Sequence, residues 1–460
     1  MRERAAVILA AGEGRRMGAD LPKVCCEVLF KPLICHITDH LASTGVGPDK
    51  LCVVVGPKPH SEQIEALLPE GCHLAVQAER MGTGHALMQC GDFLRENRGA
   101  DILVMYGDAP FVDADTIAAA HGAHVAAGNA VTVLTAKVED PAKYGRIVYT
   151  DEGVVIVEAA DATEEQLAIN EINAGTYWFS ADFLMENLPR LTTDNKLGQY
   201  YLTDMLNFCD GKTCKAGAFR AWNAHVALGA NTRRDLAKLN EIARALRVEY
   251  LLNMGVDIPF ESQVVVGIDV AVAPGAHLMP GTILKGRTTI GAGAVIGPHS
   301  VITDSVIGPG SVINQSQVTG SEVGSDCKIG PFAQLRPGSR VADGVKIGNF
   351  VEVKNASVGN GTSLAHLSYL GDIDIGERVN VGCGVVSVNY DGKEKHRSTI
   401  EDGAFIGCNS NIISPVTVGE GAYVAAATTL TEDVPAGALA IGRVRQVNKP
   451  GAGAGRYKKK

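Results

Sequence analysis

From Leu284 to Leu430 an aliphatic residue returns about every six positions, and no other feature limits so narrowly what this chain can fold into. Leu284, Ile290, Ile296 and Ile302 are six apart, and Ile307, Ile313, Val318 and Val323 follow at five or six. Strict sixes hold through Ile329, Leu335, Val341, Ile347 and Val353, and the run continues through Val358, Leu364, Leu370, Ile375 and Val381. It resumes at Ile400, Ile406, Ile412, Val418, Val424 and Leu430. Such a repeat predicts a parallel β-helix in which each six-residue unit makes one flat face and its aliphatic points into a narrow core. Glycine commonly follows the aliphatic, as in Ile290-Gly-Ala-Gly-Ala, and suits corners where the backbone needs unusual dihedrals. The hexapeptide domain holds 28 of the 53 glycines, and a core open only to small and aliphatic side chains explains an aromatic content of 5%. Between Val381 and Ile400 lie 19 residue steps where 12 would cover two units, so the extra residues must leave the coil as a loop, a usual place for function.

A chain of 460 residues is too long for one domain. Its first half alternates short β-branched runs with helical stretches, the pattern of βαβ units around a largely parallel sheet. Strands are expected at Val7–Leu9, Leu51–Val55, Leu74–Val76, Ile102–Tyr106, Val131–Thr135, Val154–Val157 and Gly175–Phe179. Helices are expected over 84–95 and 115–127, capped by Thr83 and Asp115. Leu236, Leu239, Ala243, Leu246 and Tyr250 then fall at helical spacing, with Asn231 or Thr232 to start the helix and Gly255 to end it. The expected plan is α/β plus β: an α/β domain over 1–229, a helical linker over 230–255, the hexapeptide domain over 256–445 and a basic tail over 446–460.

Composition excludes several function classes. Hydrophobic residues at 46% and charged residues at 20% are globular values. The net charge of -9 argues against a general nucleic-acid binder, although Arg443, Arg445, Lys449, Arg456, Lys458, Lys459 and Lys460 make the end of the chain basic. Eleven cysteines without a Cys-x-x-Cys pair, two of them adjacent at Cys25 and Cys26, fit neither a disulfide framework nor a zinc site, and predict free thiols in a reducing compartment. The apolar stretch Ala5–Ala11 reads as a first strand, not a signal peptide, and no run reaches the ~18 residues of a membrane helix. A cytoplasmic protein without a membrane span is expected.

Two groups of residues carry chemistry. In the first, Val7-Ile-Leu-Ala-Ala-Gly12-Glu-Gly14-Arg-Arg16-Met-Gly18 places a Gly-rich turn directly after a strand, where backbone N–H groups can cradle phosphates, with Arg16 and Lys23 supplying charge. It is neither a P-loop nor a dinucleotide fingerprint. Tyr106-Gly107-Asp108-Ala-Pro110 ends another strand with a carboxylate at the edge where open α/β sheets bind ligands, and a carboxylate there suits Mg²⁺.

In the second group, Arg336, Lys354 and the run His366-Leu-Ser-Tyr369-Leu-Gly-Asp372 break the small-residue pattern of the coil. Arg336 and Lys354 are 18 residues apart, three units, so they stack on one face one turn apart. His366 lies 12 residues beyond Lys354 and points from a neighbouring edge. Two such faces meet most naturally across a subunit boundary. A histidine, ordinarily titrating near pH 6.5, can act as general base at neutral pH.

The first group resembles the sugar-nucleotide pyrophosphorylases, whose signature Leu-Ala-Ala-Gly-x-Gly-x-Arg-Met and Leu-Pro-Lys matches Leu9–Met17 and Leu21–Lys23. Gln77-Ala-Glu-Arg-Met-Gly82-Thr83-Gly84-His85-Ala86, Tyr144-Gly145-Arg146-Ile147, Ile156-Val157-Glu158 and Glu171-Ile-Asn173-Ala-Gly175 tighten the match. With the hexapeptide coil behind it and its His-Leu-Ser-Tyr-Leu-Gly-Asp run, residues 4–445 resemble the bifunctional bacterial N-acetylglucosamine-1-phosphate uridyltransferase and glucosamine-1-phosphate acetyltransferase family.

The resemblance implies a Rossmann-like nucleotidyltransferase domain and a left-handed β-helix. It implies acetyl transfer from acetyl-CoA to glucosamine 1-phosphate, then uridylyl transfer from UTP to N-acetylglucosamine 1-phosphate, in a Mg²⁺-dependent homotrimer supplying bacterial cell-wall precursors. It also assigns residues. Leu9, Ala10, Ala11, Gly12, Gly14, Gln77, Gly82 and Thr83 would bind the nucleotide, and Gly145, Glu158, Asn173 and Tyr106, with Gly107 beside it, the sugar. Asp108 and Asn231 would ligate Mg²⁺, and Arg16 and Lys23 would stabilise charge. In the coil His366 would be the base, Arg336 and Lys354 would grip the sugar phosphate, and Tyr369 and Asn380 would orient the sugar. Asn389, Tyr390, Lys395, Cys383, Cys408, Ala426 and Arg443 would meet acetyl-CoA. The sequence departs from a common pattern of the family at Glu13, where many relatives carry Lys, and at Cys383 and Cys408, where relatives often carry Ala or Ser. Two other readings keep the residues but change the chemistry: a nucleotidyltransferase whose β-helix only trimerises or regulates, and a metal enzyme using His366 and His396 across subunits.

Overall fold

The computed structural model describes residues 3–12, 14 and 21–454. The chain divides into two compact units, Met1–Ala243 and Arg244–Lys460. Among the described residues no helix is long and apolar enough to cross a membrane.

The first unit is built on one sheet. Its strands are β1 (Arg4–Leu9), β2 (Leu51–Val55), β3 (His73–Val76), β4 (Asp101–Tyr106), β5 (Val131–Lys137), β6 (Arg146–Thr150), β7 (Gly153–Val157), β8 (Glu171–Ser180) and β9 (Ala216–Arg220). The path across it runs β9-β5-β8-β4-β1-β2-β3, with the β6–β7 hairpin attached to β8. Strands β1 to β4 are mutually parallel, and β8 runs antiparallel between β4 and β5. Alternate residues of β1 enter opposite cores: Ala5 and Val7 pack with Val54 and Val104, whereas Ala6 and Ile8 pack with Val53 and Leu103. A sheet covered on both faces needs this continuous apolar run, which is why the central strands are legible in the sequence. The order reverses between β1 and β4, and there, beyond the carboxyl ends of the strands, such sheets open a ligand crevice.

The helices correct two expectations. The stretch read as one helix over 84–95 is two, Thr83–Met88 and Gly91–Glu96, with Gly82 rather than Thr83 at the first N-cap. Gly82 is held at φ 112°, and a Cβ there would fall 2.9 Å from Tyr200 N. The next helix is Ala114–Ala127, and its cap is Asp113, which accepts from Thr116 N at 2.7 Å, not Asp115. The long helix is Arg233–Asn253, and Thr232 and Asp235 cap each other at its start. Its buried residues are Leu239, Ala243, Val248 and Leu251, whereas Leu246 and Tyr250, expected on the apolar stripe, are exposed.

In the second unit three parallel ladders take every third strand in turn, the arrangement of a left-handed β-helix. Every aliphatic residue of the six-residue series from Leu284 to Leu430 is buried in one continuous core. Each such side chain contributes roughly 1.5–3 kcal/mol. The coil begins a turn earlier than the expected series, with Val266 and Leu278 buried in its first strands. The break is also shorter than it reads. Val386–Val388 is a strand of the coil whose inward residue is Ser387, so the inserted segment is confined to 389–397.

Candidate active sites

A cleft of about 640 Å³ opens at the carboxyl ends of the first unit's strands. Leu9, Ala11, Gly12, Lys23, Gln77, Gly82, Thr83, Tyr106, Asp108, Gly145, Glu158, Asn173 and Asn231 all line it. Ala10, Gly14 and Gly107 stand behind this wall. Ala10 N–H donates to Val54 O and Gly107 N–H to Leu9 O, extending the sheet past its strands. Gly14 has φ 64°, and a Cβ there would lie 2.8 Å from Lys23 Cβ, so glycine lets the lysine run beneath the loop. Glu13 and Arg16 lie outside the described residues.

Lys23 Nζ is the centre of the charged end. It lies 2.5 Å from Asp108 Oδ2 and donates to Asn231 Oδ1 at 3.4 Å. One carboxylate oxygen and one amide oxygen thus converge on a cation. This is a hard-oxygen pair of the kind that, with substrate phosphates and water, suits Mg²⁺. Among the described residues no group of three or more His, Cys, Asp or Glu side chains could hold a metal by itself.

The opposite wall depends on a bulge. The register of β8 against β5 shifts between Asn173 and Tyr177. Within it Gly175 takes φ 72°, and a Cβ there would stand 2.7 Å from Tyr106 Cε2, so the tyrosine ring lies on bare backbone. Asn173 Nδ2 donates to Tyr177 OH at 2.6 Å, and Tyr106 is hydrogen bonded to both Tyr177 and Thr83. Burial pushes the Tyr106 hydroxyl up to about 12, so this chain of hydroxyls stays protonated. Burial also raises the Glu158 carboxyl, against a lowering hydrogen bond from Thr203 Oγ1 at 3.2 Å.

Four further residues, Tyr201, Thr203, Arg80 and Lys143, line or brace the cleft and are given no role by the motifs above. Tyr201 lines the cleft with a buried hydroxyl that has no hydrogen-bond partner among the described residues, and Arg80 Nε donates to Ala11 O at 2.8 Å, bracing the Gly-rich loop. The run Gln199-Tyr-Tyr-Leu-Thr203, polar and aromatic beside Gly198, was the available signal.

In the second unit Arg336 and Lys354 are Cα partners on adjacent coils, as their spacing predicts, and Gly371 follows on the next rung. Arg336 also pairs with Glu352 at 2.8 Å. Lys354 titrates below the ordinary lysine value because Lys395 first, and then Arg336, press like charge against it. A Cβ on Gly371 would lie 2.7 Å from Tyr369 Cζ and 3.1 Å from Asn389 Nδ2, which places the tyrosine hydroxyl and the amide over the same glycine. Arg336, Lys354, Tyr369, Asn389 and Lys395 therefore form one cluster. Tyr390, in the inserted segment, turns its hydroxyl onto Gly392 O at 2.8 Å.

His366 stands at another corner. Backbone bonds from Leu367 to Asn349, Gly384 to His366, Asn409 to Cys383 and Ala427 to Cys408 stack Asn349, His366, Cys383, Cys408 and Ala426 in one column. Arg443 Nη1 donates to Ala426 O, and Asn380 sits on the adjoining strand. His366 ends one strand before Tyr369 begins the next, whereas Lys354 and Gly371 end strands on that next face. The base and the cation cluster thus occupy opposite edges of a single face. His396, the other histidine offered as a metal ligand, pairs with Asp391 at 2.8 Å within the inserted segment.

Residues 6–198 match the MobA-like NTP transferase domain, and residues 320–355 match the bacterial transferase hexapeptide model of six repeats. The chain is 45% identical to the bifunctional protein GlmU of Geobacillus sp. (strain WCH70) over 98% of its length and 97% of that protein's. It is 43% identical to the bifunctional protein GlmU of Halalkalibacterium halodurans over 98% of each. Among solved structures, a putative glucose-1-phosphate thymidylyltransferase from Bacillus anthracis superposes with a TM-score of 0.43 at 20% identity, covering 52% of this chain and 95% of that one.

Proposed function

The chain belongs to the bifunctional GlmU protein family, and from that membership we propose which of its residues carry the two reactions. As a member it is an acetyltransferase and a uridyltransferase in the synthesis of UDP-N-acetylglucosamine. Acetyl-CoA and glucosamine 1-phosphate give N-acetylglucosamine 1-phosphate, which with UTP gives the nucleotide sugar and pyrophosphate.

Uridylyl transfer belongs to the cleft of the first unit. The sugar phosphate attacks the α-phosphorus of UTP and pyrophosphate leaves, so the protein's work is positioning and charge neutralisation. The Leu9–Gly14 loop and Gln77 hold the nucleotide, and Gly145, Glu158, Asn173 and Tyr106 hold the sugar. Lys23, with Arg16, offsets charge as the phosphorus is attacked. Asp108 and Asn231, whose oxygens already converge on one cation, are the residues to hold Mg²⁺. The ion would neutralise phosphate charge and align the reacting oxygens.

Acetyl transfer belongs to the coil. His366 takes a proton from the sugar amine as it attacks the thioester carbonyl, and the CoA thiol leaves. The Arg336 and Lys354 cluster holds the sugar phosphate, and the Cys383, Cys408 and Ala426 column faces acetyl-CoA. Because base and cluster stand at opposite edges of one face, a complete site calls for neighbouring chains, which supports a homotrimer packed on flat faces. The eleven cysteines are free, which supports a reducing cytoplasmic setting.

The observation that carries the reading is that one chain holds both a cleft with convergent Lys23, Asp108 and Asn231 and a separate cation cluster on a hexapeptide coil. A product assay with acetyl-CoA, glucosamine 1-phosphate and UTP, each omitted in turn, tests it. Pyrophosphate formed from N-acetylglucosamine 1-phosphate without any acetyl transfer would remove the second half, and full acetyltransferase activity at monomer mass would remove the trimer.

A further inference from the structure

The inserted segment 389–397 is tied down at both ends. At its start Asn389 Nδ2 donates to Asp372 Oδ2. At its end Arg397 grips Asp374 with a two-pronged contact, Nε to Oδ2 at 2.6 Å and Nη2 to Oδ1 at 2.5 Å, and gives Nη1 to Asn355 O at 2.9 Å. Asn355 Nδ2 in turn donates to Asp372 Oδ1 at 2.6 Å. Two carboxylates two positions apart in one stretch, Asp372 and Asp374, therefore hold the two ends, and the residue after Lys354 is held through both its side chain and its carbonyl.

The geometry has a purpose because the segment carries Lys395 against Lys354, with Arg336 next in line. Three like charges do not gather unaided. An untethered surface segment of this length would swing its lysine into water, where repulsion is screened and side-chain freedom is kept. Arg397 is suited to oppose this, since its planar fork fixes a direction as well as a charge. Within the segment His396, which stands between Lys395 and Arg397, donates its backbone N–H to Asn389 O at 2.9 Å and pairs with Asp391 Oδ2 at 2.8 Å, so orientation imposed at Arg397 reaches Lys395.

We propose that Arg397, acting through Asp374 and Asn355, is a positioning residue that keeps Lys395 beside Lys354, so that the acetyltransferase half meets its phosphorylated sugar with the anion site already formed. The inference rests on the acetyltransferase reading above. It makes Arg397 responsible for affinity toward the phosphate and not for the proton transfer at His366.

The test uses the full-length protein with Arg397→Ala, Arg397→Lys and the exchanged pair Arg397→Asp with Asp374→Arg. Acetyl-transfer kcat and KM for glucosamine 1-phosphate are measured, together with calorimetric binding of inorganic phosphate, which needs no activity. Arg397→Ala is expected to raise KM and weaken phosphate binding about tenfold, the effect of misplacing one charge-assisted contact, with kcat changed by less than about threefold. Lysine should recover part of the loss and the exchanged pair most of it, while uridylyl transfer stays at the wild-type rate and an unchanged melting transition of the coil reports that the second unit is folded. Unchanged KM and phosphate affinity in Arg397→Ala, a loss confined to kcat, or no recovery in the exchanged pair would each overturn the proposal. A wild-type protein that binds phosphate at the coil but transfers no acetyl group would instead overturn the acetyltransferase reading and leave the mooring standing.

Discussion

His366 Nδ1 lies 2.6 Å from Asn349 Oδ1, one coil away in the same column. An amide oxygen can only accept, so the imidazole proton is drawn to Nδ1 and the lone pair is left on Nε2, the nitrogen free to act as base. His366→Ala is expected to lower acetyl transfer by about 10²–10⁴, the usual contribution of a general base, without affecting uridylyl transfer. Asn349→Ala keeps the base but frees the ring, so kcat should fall about tenfold with little change in KM. Separate assays of the two half-reactions check both variants, and undiminished acetyl transfer in His366→Ala would return the coil to a structural or regulatory role.

Asp108 and Asn231 share Lys23 as their cation, and the same oxygens are available to Mg²⁺. Asp108→Asn removes the only charge of that pair. Uridylyl transfer should fall at least about 100-fold, the scale of losing electrostatic stabilisation of a developing charge, and the Mg²⁺ concentration for half-maximal rate should rise. Chelation should abolish uridylyl transfer and spare acetyl transfer. An acetyl transfer that also stops on chelation would favour a metal-dependent coil.

Much of this was readable because it depends on near neighbours or on fixed spacing. The parallel strands announce themselves as unbroken apolar runs, and Arg336 over Lys354 follows from 18 residues per turn. What escaped the sequence depends on distant partners. Thr203 matters because it returns across 45 residues to Glu158, and no local pattern marks that pairing. Ser387 fills an inward position that periodicity reserves for an aliphatic, which is tolerated because its hydroxyl accepts from Gly371 N at 2.7 Å. Tyr250 fits the helical stripe by spacing, yet it lies exposed under the Arg247 guanidinium. Asp115 is the N-cap expected from the sequence, and the backbone path before the helix gives that position to Asp113 instead.

Glu158 makes stability depend on pH. Burial raises its pKa above the ordinary 4.5, so the folded state holds the proton more tightly than the unfolded state. The associated stability is fully present below pH 4.5 and is lost as pH rises through the raised value. Asp204, also raised by burial, adds in the same sense. Glu158→Gln should therefore melt with the wild type in acid and above it at neutral pH. Its sugar KM should rise about tenfold, because a neutral amide replaces a charged acceptor. Melting curves that stay parallel from acid to neutral pH would remove Glu158 as the source of the dependence.

Gly175 tests whether the bulge in β8 shapes the cleft wall proposed to hold the sugar. Its φ of 72° is unfavourable for a residue with a side chain, and a Cβ would enter the Tyr106 ring. The left-handed conformation costs about 1–2 kcal/mol and overpacking a further 1–3, so Gly175→Ala should lose about 2–5 kcal/mol in denaturant unfolding of the first unit. Relief can come only by moving the tyrosine, which would break its hydrogen bonds to Thr83 and Tyr177 and loosen Asn173. Uridylyl transfer should then show a higher KM for the sugar phosphate. Acetyl transfer, carried by the coil, should keep its rate in the same preparation, and if both activities fell together the damage would not be confined to the cleft.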